Sequence, residues 1–466
     1  MRHEASFRDP SGYIFLHEGE IYRQINELGG SDYDMLMAGG LYTSLSEKGW
    51  IIEHSEVEDP RVGSEAESDN HKIIKPRKVP YVSYPYEWSF NQLKDAALLT
   101  LRVAAHALEY GMSLKDASAY NIQFIGSRPI FIDTLSFETY RTGSPWIAYK
   151  QFCEHFLAPL ALMSYSDIGL SRLLSSGING IPLATAARLL PFRTKLRPGL
   201  YAHIHLHARS QEKFANSATE APEILTDKNT RAISRSALRA ILESLATTVS
   251  KLQWRRPKTE WGDYYDNTNY SGEAFRHKAF ILSNLLESIP HPITRLHDLG
   301  ANIGAFSTIA SEYSAYVVSQ DVDPVAVDNQ YLARKRQSED NILPLLQDLT
   351  SPSPAIGWRN RERADFVSRS RCDVVLALAL IHHLAISNNL PLPEIAAFFA
   401  DLAPYLIIEF VPKSDTQVRR LLTTRSDIFP HYSEEGFEQA FLQLFEVHSK
   451  QKIVGSERTL YLMLRK

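Results

Sequence analysis

The sequence predicts an α/β protein, with a doubly wound, mostly parallel sheet in the carboxy-terminal half and an α+β domain before it. Between residues 293 and 411, short apolar runs alternate with segments of helical periodicity. The runs are apolar on both faces, which is typical of parallel strands covered by helices on both sides. The length of 466 residues exceeds what one hydrophobic core usually organises, so we expect two or three domains.

Five strands are predicted in this region, with helices between them. The strand candidates, in chain order, are "ITRLHDL", "AYVVSQD", "ILPLLQD", "CDVVLALAL" and "YLIIEFV". Helix candidates between them include "AFSTIASEY", "PVAVDNQYLARKRQ" and "LPEIAAFFADL". Ligands of such sheets bind at the carboxyl ends of the strands, so polar side chains at these ends are the candidate functional residues.

Three segments are predicted along the chain. Residues 1–209 form the α+β domain, residues 210–258 a polar insert and helical linker, and residues 259–466 the doubly wound domain. The division rests on a polar, weakly periodic stretch from Ser210 to Ser236 and on the helical run that follows it. The charged, proline-containing "QWRRPKTEW" then ends that run and places the boundary near Lys258.

Composition excludes several classes of protein. The formal net charge of -4 is close to neutral for this length and does not predict a nucleic-acid partner. Two cysteines are too few for a disulfide framework or a zinc site. The amino terminus has no apolar core of signal-peptide length, and the longest apolar run, "VVLALALI", is far shorter than the ~20 residues that span a bilayer. We therefore expect a cytoplasmic protein without a membrane partner.

Acidic residues follow three successive strands. Asp298 closes the first strand and is followed by Gly300 and Gly304 in the turn to a helix. Asp321 ends the second strand and Asp348 the third. Glycines let the backbone approach a ligand closely, and a carboxylate can accept hydrogen bonds from both hydroxyls of a ribose. This arrangement suits a neutral or cationic nucleoside better than a pyrophosphate.

These motifs, in this order, resemble the class I S-adenosylmethionine-dependent methyltransferases from about Trp261 to Lys466. The resemblance implies a Rossmann-like methyltransferase fold and S-adenosylmethionine as the cofactor. It also implies that Asp321 binds the ribose, that Asp348 binds the adenine amino group, and that the methionine moiety and the turn beneath it belong to Asp298, Gly300, Ala301, Asn302 and Gly304. Ala301 and Asn302 depart from the commoner glycine or small pair. No metal is expected in this domain.

Two histidines, His382 and His383, follow the fourth strand, at the edge where the transferred methyl group should lie. A histidine with an ordinary pKa of about 6.5 suits a general base for a hydroxyl acceptor. His383 is the preferred candidate because it lies further from the buried strand. The alternative is that one histidine packs in the core while the other caps the next helix.

Three residues are candidates for binding the methyl acceptor. Glu409 lies inside the apolar fifth strand, where a carboxylate is costly unless it is paired. It either binds the acceptor or forms an ion pair with a nearby arginine. Tyr265 and Tyr270, in an aromatic stretch before the first strand, either cover the cofactor and acceptor or belong to a surface turn.

In the amino-terminal half, "LKDASAYNIQFIGSRPIFIDTL" follows a predicted long helix. The order of helix, loop, two short strands and aspartate resembles the catalytic core of protein kinases and aminoglycoside phosphotransferases. The resemblance implies a substrate base at Asp116 and magnesium ligands at Asn121 and Asp133, with ATP as a second cofactor. Leu114 and Lys115 stand where the family has histidine and arginine. The domain is therefore a degenerate kinase-like module, an active phosphotransferase or an unrelated accessory domain.

The function predicted from sequence is methyl transfer to an oxygen or nitrogen nucleophile of a small molecule or glycan, with the amino-terminal domain recognising the acceptor. One alternative is a bifunctional enzyme that both phosphorylates and methylates. Another is a non-catalytic regulatory protein that binds S-adenosylmethionine.

Overall fold

The computed structural model describes residues 2–61, 69–209, 233–256, 272–423 and 426–466. Its strands are β1 (Gly12–His17), β2 (Glu20–Ile25), β3 (His54–Val57), β4 (Lys72–Pro76), β5 (Met112–Leu114), β6 (Ile122–Ile125), β7 (Arg128–Phe131), β8 (Phe137–Thr139), β9 (Ile293–Leu299), β10 (Ser314–Asp321), β11 (Ile342–Leu346), β12 (Val374–Ala377), β13 (Tyr405–Phe410), β14 (Phe445–Lys452) and β15 (Thr459–Arg465).

The α-helices are α1 (Glu27–Ala38), α2 (Leu41–Glu47), α3 (Phe90–Glu109), α4 (Tyr149–Phe152), α5 (Ala158–Tyr165), α6 (Leu183–Leu189), α7 (Pro198–Leu200), α8 (Arg235–Lys251), α9 (Gly272–Glu287), α10 (Ala305–Ala310), α11 (Pro324–Gln337), α12 (Phe366–Arg369), α13 (Leu392–Leu402), α14 (Thr416–Leu422) and α15 (Glu434–Phe441). Within these described parts of the chain, no helix combines the length and the apolar character needed to cross a bilayer.

A seven-stranded sheet organises the carboxy-terminal half, in the order β11-β10-β9-β12-β13-β15-β14. The first five of these strands run parallel, and β15 pairs antiparallel with both β13 and β14. The prediction of a mostly parallel sheet with five strands is confirmed. The hairpin of β14 and β15 was not predicted from sequence; β14 is an edge strand with mostly exposed polar side chains, so it lacks a buried apolar run.

The amino-terminal half begins with an antiparallel sheet in the order β1-β2-β4-β3. The long helix α3 follows, and it begins at a capping box in which Ser89 accepts from the backbone of Gln92 while the Gln92 side chain accepts from that of Ser89. The predicted helix and the short hairpin of β6 and β7 after it are therefore both present.

One cluster of buried apolar residues spans the two halves. Helix α3 contacts helix α11, and residues of β10, β11 and α11 belong to the same buried cluster as the apolar face of α3. Asn91 donates to the Asp328 carboxylate from its backbone and its side chain, at 3.0 and 2.8 Å. Helix α8, inside the predicted linker, also packs on α3 through Leu238 and Leu245. The amino-terminal half therefore forms part of the support of the large sheet.

Candidate active site

A cavity of about 380 Å³ lies at the carboxyl ends of β9, β10 and β12 and beside the loop after β11. We call it the sheet-edge cavity. Parallel strands end at a common edge, which is why residues distant in sequence meet there. Of the residues predicted to bind the cofactor, the structure brings six to its wall: Asp298, Gly300, Ala301, Asn302, Asp321 and Asp348.

The turn after β9 needs left-handed backbone at three positions. Gly300 has φ +77°, Asn302 φ +53° and Gly304 φ +77°. A side chain at position 304 would also collide with Gln330, so glycine is required there for two reasons. Gly304 is the N-cap of α10 and does not line the cavity. Its contribution is to the shape of the turn.

Asn302 links this turn to the end of β10. Its backbone N–H donates to Asp321 Oδ2 at 2.8 Å, and the N–H of Asp323 donates to Asp321 Oδ1 at 2.9 Å. Asn302 Oδ1 is buried on the cavity wall without a hydrogen-bond partner among the described residues. A buried acceptor without a partner is costly, so this oxygen is suited to a ligand that carries a donor.

Two carboxyl groups of the cavity have raised pKa values. Burial raises the pKa of Asp298 to about 6, although the hydroxyl of Ser307 donates to Asp298 Oδ2 at 2.6 Å and opposes the shift. Burial also raises the pKa of Asp321 to about 6, against the two N–H donors described above. A cation or a hydrogen-bond donor in the cavity would stabilise the ionised form of both.

Asp348, on the wall of the same cavity, has a side chain that is 28% exposed. Its Oδ1 accepts from the backbone and hydroxyl of Thr350 at 3.0 and 2.6 Å. Arg172, from the amino-terminal half, lies 3.6 Å from its Oδ2. Asp348 also lines a second cavity of about 600 Å³ between the two halves, together with Val322 and Gln347. We call the second one the interface cavity.

The two candidate catalytic histidines occupy different positions. His383 begins a π-helical turn, His383–Ser387, and lines the sheet-edge cavity. His382 is buried behind it, outside the cavity lining, with the two ring centroids 4.1 Å apart. Burial lowers the pKa of His383 to about 4 and that of His382 well below its ordinary value. The general-base interpretation rests on a histidine of ordinary pKa, and burial, which the sequence does not reveal, moves the pKa of both histidines below that value.

Sequence reasoning missed a lysine at the base of the cavity. Lys278, on α9, is only 2% exposed, lines the cavity, and lies 4.3 Å from the centroid of the Phe306 ring. Burial lowers its pKa, and Glu409 at 2.6 Å opposes that shift. The available signal was its position on the apolar stripe of α9, between Ala274 and Ile281.

Glu409 is fully buried and is not part of the cavity lining. Its carboxylate pairs with Lys278 and, at 3.4 Å, with Arg458, which in turn pairs with Asp415 at 2.8 Å. Of the two alternatives predicted for Glu409, the ion pair with an arginine matches its position. Direct contact with an acceptor in the cavity does not, because Glu409 lies outside the cavity lining. Glu409 therefore lies behind the cavity wall, in contact with Lys278, which lines it. Tyr265 and Tyr270 lie outside the described residues.

No protein-family model matches the chain. Over 460 residues it is 39% identical to nodulation protein NoeA of Rhizobium meliloti (strain 1021). The aligned region covers 98% of this chain and 94% of NoeA. The chain belongs to the NoeA family.

Several solved structures similar to this NoeA-family chain match less than half of it. They include the N-methyltransferase NodS from Bradyrhizobium japonicum WM9, at 13% identity over 42% of this chain and 98% of NodS, with a TM-score of 0.32. Magnesium protoporphyrin IX methyltransferase ChlM from Synechocystis PCC 6803 matches at 15% identity over 44% and 93%, with a TM-score of 0.31. The bifunctional kinase-methyltransferase WbdD matches at 13% identity over 44% and 42%, with a TM-score of 0.29.

The amino-terminal half of this NoeA-family chain brings the kinase-like residues together. Burial raises the pKa of Asp116, and the nearby Asp133 carboxylate raises it further. The Asn121 amide donates to Ser136 Oγ at 3.0 Å, and Ser136 Oγ donates to Asp133 Oδ2 at 2.7 Å. The resemblance in sequence order thus corresponds to a real cluster in space.

Both oxygens of Asp133 are already engaged. Asp133 Oδ1 pairs with the guanidinium of Arg23 on β2 and accepts from the N–H of Leu135 at 3.0 Å, while Oδ2 accepts from Ser136. A magnesium ligand must present an oxygen to the ion, and here the cationic Arg23 side chain lies against Asp133 Oδ1, where it would repel a second cation. The residues present therefore do not fit the predicted magnesium site, and nothing in the comparisons supports ATP.

Proposed function

We propose that the protein is an S-adenosylmethionine-dependent methyltransferase that acts on an oxygen or nitrogen nucleophile of a small molecule or glycan. The observation that carries the proposal is the meeting of Asp298, Asp321 and Asp348 with a glycine turn around one cavity at the carboxyl edge of the sheet. The strand order, with a final antiparallel hairpin, is consistent with the resemblance found in the sequence.

The residues present fit this cofactor. The unpartnered Oδ1 of Asn302 and the carboxylate of Asp298 would accept from its ammonium group, and the ammonium of Lys278 would attract its carboxylate. Asp321 would bind the ribose hydroxyls, and Asp348 the adenine amino group. When bound, S-adenosylmethionine supplies a methyl group already activated on a sulfonium, and the product is S-adenosylhomocysteine.

His383 would position the acceptor. With a pKa of about 4 the imidazole is neutral at physiological pH, so it accepts a hydrogen bond but is a weak proton acceptor. Alignment of a nucleophile with an activated electrophile can itself supply much of the rate. We therefore assign to His383 the orientation of the acceptor and propose that the departing proton passes onward to solvent.

The amino-terminal half would recognise the remainder of the acceptor. The interface cavity opens beside Asp348 and is lined from this half by Tyr86, Glu87 and Arg172. Its aromatic and charged side chains are suited to a polar acceptor. Because the 39%-identical relative is a nodulation protein, we also infer that the methylated product serves nodulation. We also propose a cytoplasmic location. The two cysteines are not joined in a disulfide, as is usual for proteins of the reducing cytosol.

The test is incubation of the purified protein with S-adenosylmethionine and fractionated extracts, with S-adenosylhomocysteine as the readout. Formation of S-adenosylhomocysteine that depends on one fraction, and that is lost in Asp321→Asn, would support the proposal. Tight binding of S-adenosylmethionine without turnover in any fraction would instead support the non-catalytic alternative. Failure to bind it would reject both.

A further inference from the structure

An exposed apolar and basic patch lies on the amino-terminal half, and none of its residues lines the sheet-edge cavity or the interface cavity. It consists of Leu189 at the end of α6 and of the 3-10 turn Phe192–Leu196 with the adjoining Arg197. Phe192 and Leu196 are 71% and 73% exposed, among the highest values for large apolar side chains in the described residues. We call these residues the 189–197 patch.

Basic side chains alternate with the apolar ones in this patch. The ammonium of Lys195 lies 5.2 Å from the centroid of the Phe192 ring. Arg193 donates to the carbonyl of Tyr165 at 3.0 Å, which holds its guanidinium against the body of the protein. The ion pairs found among the described residues include none from Arg193, Lys195 or Arg197. Glu243, which shares a cavity with Arg197, is instead paired with Arg239 at 3.0 Å.

The sequence around the patch is strongly polarised. Residues 168–211 contain six lysines and arginines and not one aspartate or glutamate, in a chain whose formal net charge is -4. This positive charge affects a neighbouring group. Burial lowers the pKa of His205, and the charges of Lys195 and Arg209 lower it further. A hydrogen bond anchors the patch to the interior of the protein: Thr194 Oγ1 lies 2.9 Å from Nε2 of the buried His205.

We propose that the 189–197 patch docks the protein on the surface of an anionic phospholipid bilayer. Exposed aromatic and aliphatic side chains enter the headgroup region, and interleaved basic side chains pair with lipid phosphates; together these are the two signals that reversible membrane attachment requires. The sequence predicts no membrane partner because its longest apolar run is too short to span a bilayer. Surface docking needs no spanning segment, and the charge pattern selects this partner over a neutral apolar one.

The test is co-sedimentation of the whole 466-residue chain with vesicles of phosphatidylcholine alone and with vesicles that also contain phosphatidylglycerol. We expect binding to the anionic vesicles only, weakened by high salt. The triple variant Arg193→Gln, Lys195→Gln, Arg197→Gln should bind on the order of a hundredfold more weakly, since each basic residue near an anionic surface contributes about fivefold. Phe192→Ser should also weaken binding to the anionic vesicles. The binding that remains should depend more strongly on salt, because the apolar contribution is reduced and the electrostatic one is kept.

Phe280→Ser is the matched control, because Phe280 is 63% exposed but lies on α9, far along the chain from the patch. It should bind vesicles like the unmodified protein. Unchanged thermal melting of all variants would exclude loss of fold. Equal binding to both kinds of vesicle, no binding to either, or concentration-dependent dimerisation abolished by Phe192→Ser would overturn the proposal.

Discussion

The ammonium of Lys278 lies 2.6 Å from Oε2 of Glu409, and both side chains are almost completely buried. Arg458 approaches the other oxygen of Glu409 at 3.4 Å. Two cations therefore share one buried carboxylate at the base of the sheet-edge cavity, and Arg458 also pairs with Asp415 at 2.8 Å. Removal of the Glu409 carboxylate would leave the Lys278 ammonium without this partner in a medium that solvates it poorly.

Glu409→Ala should lower the free energy of unfolding by about 3–5 kcal/mol, the usual cost of breaking a buried ion pair from one side. Urea denaturation measures it. The double variant Lys278→Met, Glu409→Leu is the control, because removal of both charges avoids the uncompensated Lys278 ammonium. Equal destabilisation of the single and double variants would show that the carboxylate does not compensate Lys278.

Binding of S-adenosylmethionine should weaken in acid. The pKa values of Asp298 and Asp321 are raised to about 6, and both carboxyls must ionise to bind a cationic, donor-rich ligand. Affinity should therefore be constant at higher pH and fall as the pH drops through about 6, by about tenfold per pH unit for each group protonated. Calorimetric titration across this range is the measurement. A flat profile down to about pH 5 would contradict the assignment of these two carboxylates.

His383 should stay neutral across the physiological range, because burial lowers its pKa to about 4. Nuclear magnetic resonance of protein labelled with ¹³C-histidine measures this, and His383→Gln identifies the resonance by its loss. The same variant should lower turnover while leaving cofactor affinity nearly unchanged. A resonance that titrates near the ordinary pKa of about 6.5 would restore His383 as a general base.

ATP with magnesium should not raise the melting temperature of the protein, because the guanidinium of Arg23 already pairs with the Asp133 carboxylate. S-adenosylhomocysteine serves as the positive control for ligand stabilisation. Stabilisation by ATP that requires magnesium and disappears in Asp133→Ala would bring the phosphotransferase alternative back.

The large sheet was predictable because its parallel strands are continuous apolar runs, and Asp298, Asp321 and Asp348 lie at or just beyond their carboxyl ends. Partners contributed by distant parts of the chain were not predictable. Arg23 reaches Asp133 across 110 residues, and Lys278 reaches Glu409 across 131. The pKa of His383 likewise depends on burial that several elements produce together. The tertiary arrangement, which sequence periodicity does not encode locally, determines these features.

The most direct test of the central claim is calorimetric titration of S-adenosylmethionine into the unmodified protein and into Asp321→Asn. Asp365→Asn is the control, because Asp365 also accepts from a backbone N–H, that of Ser368, but caps α12 outside the cavity. We predict one binding site, unchanged in the control and weakened by about 1.5–3 kcal/mol in Asp321→Asn, the scale of lost hydrogen bonds to a charged group. No binding to the unmodified protein, or equal affinity in Asp321→Asn, would contradict the account.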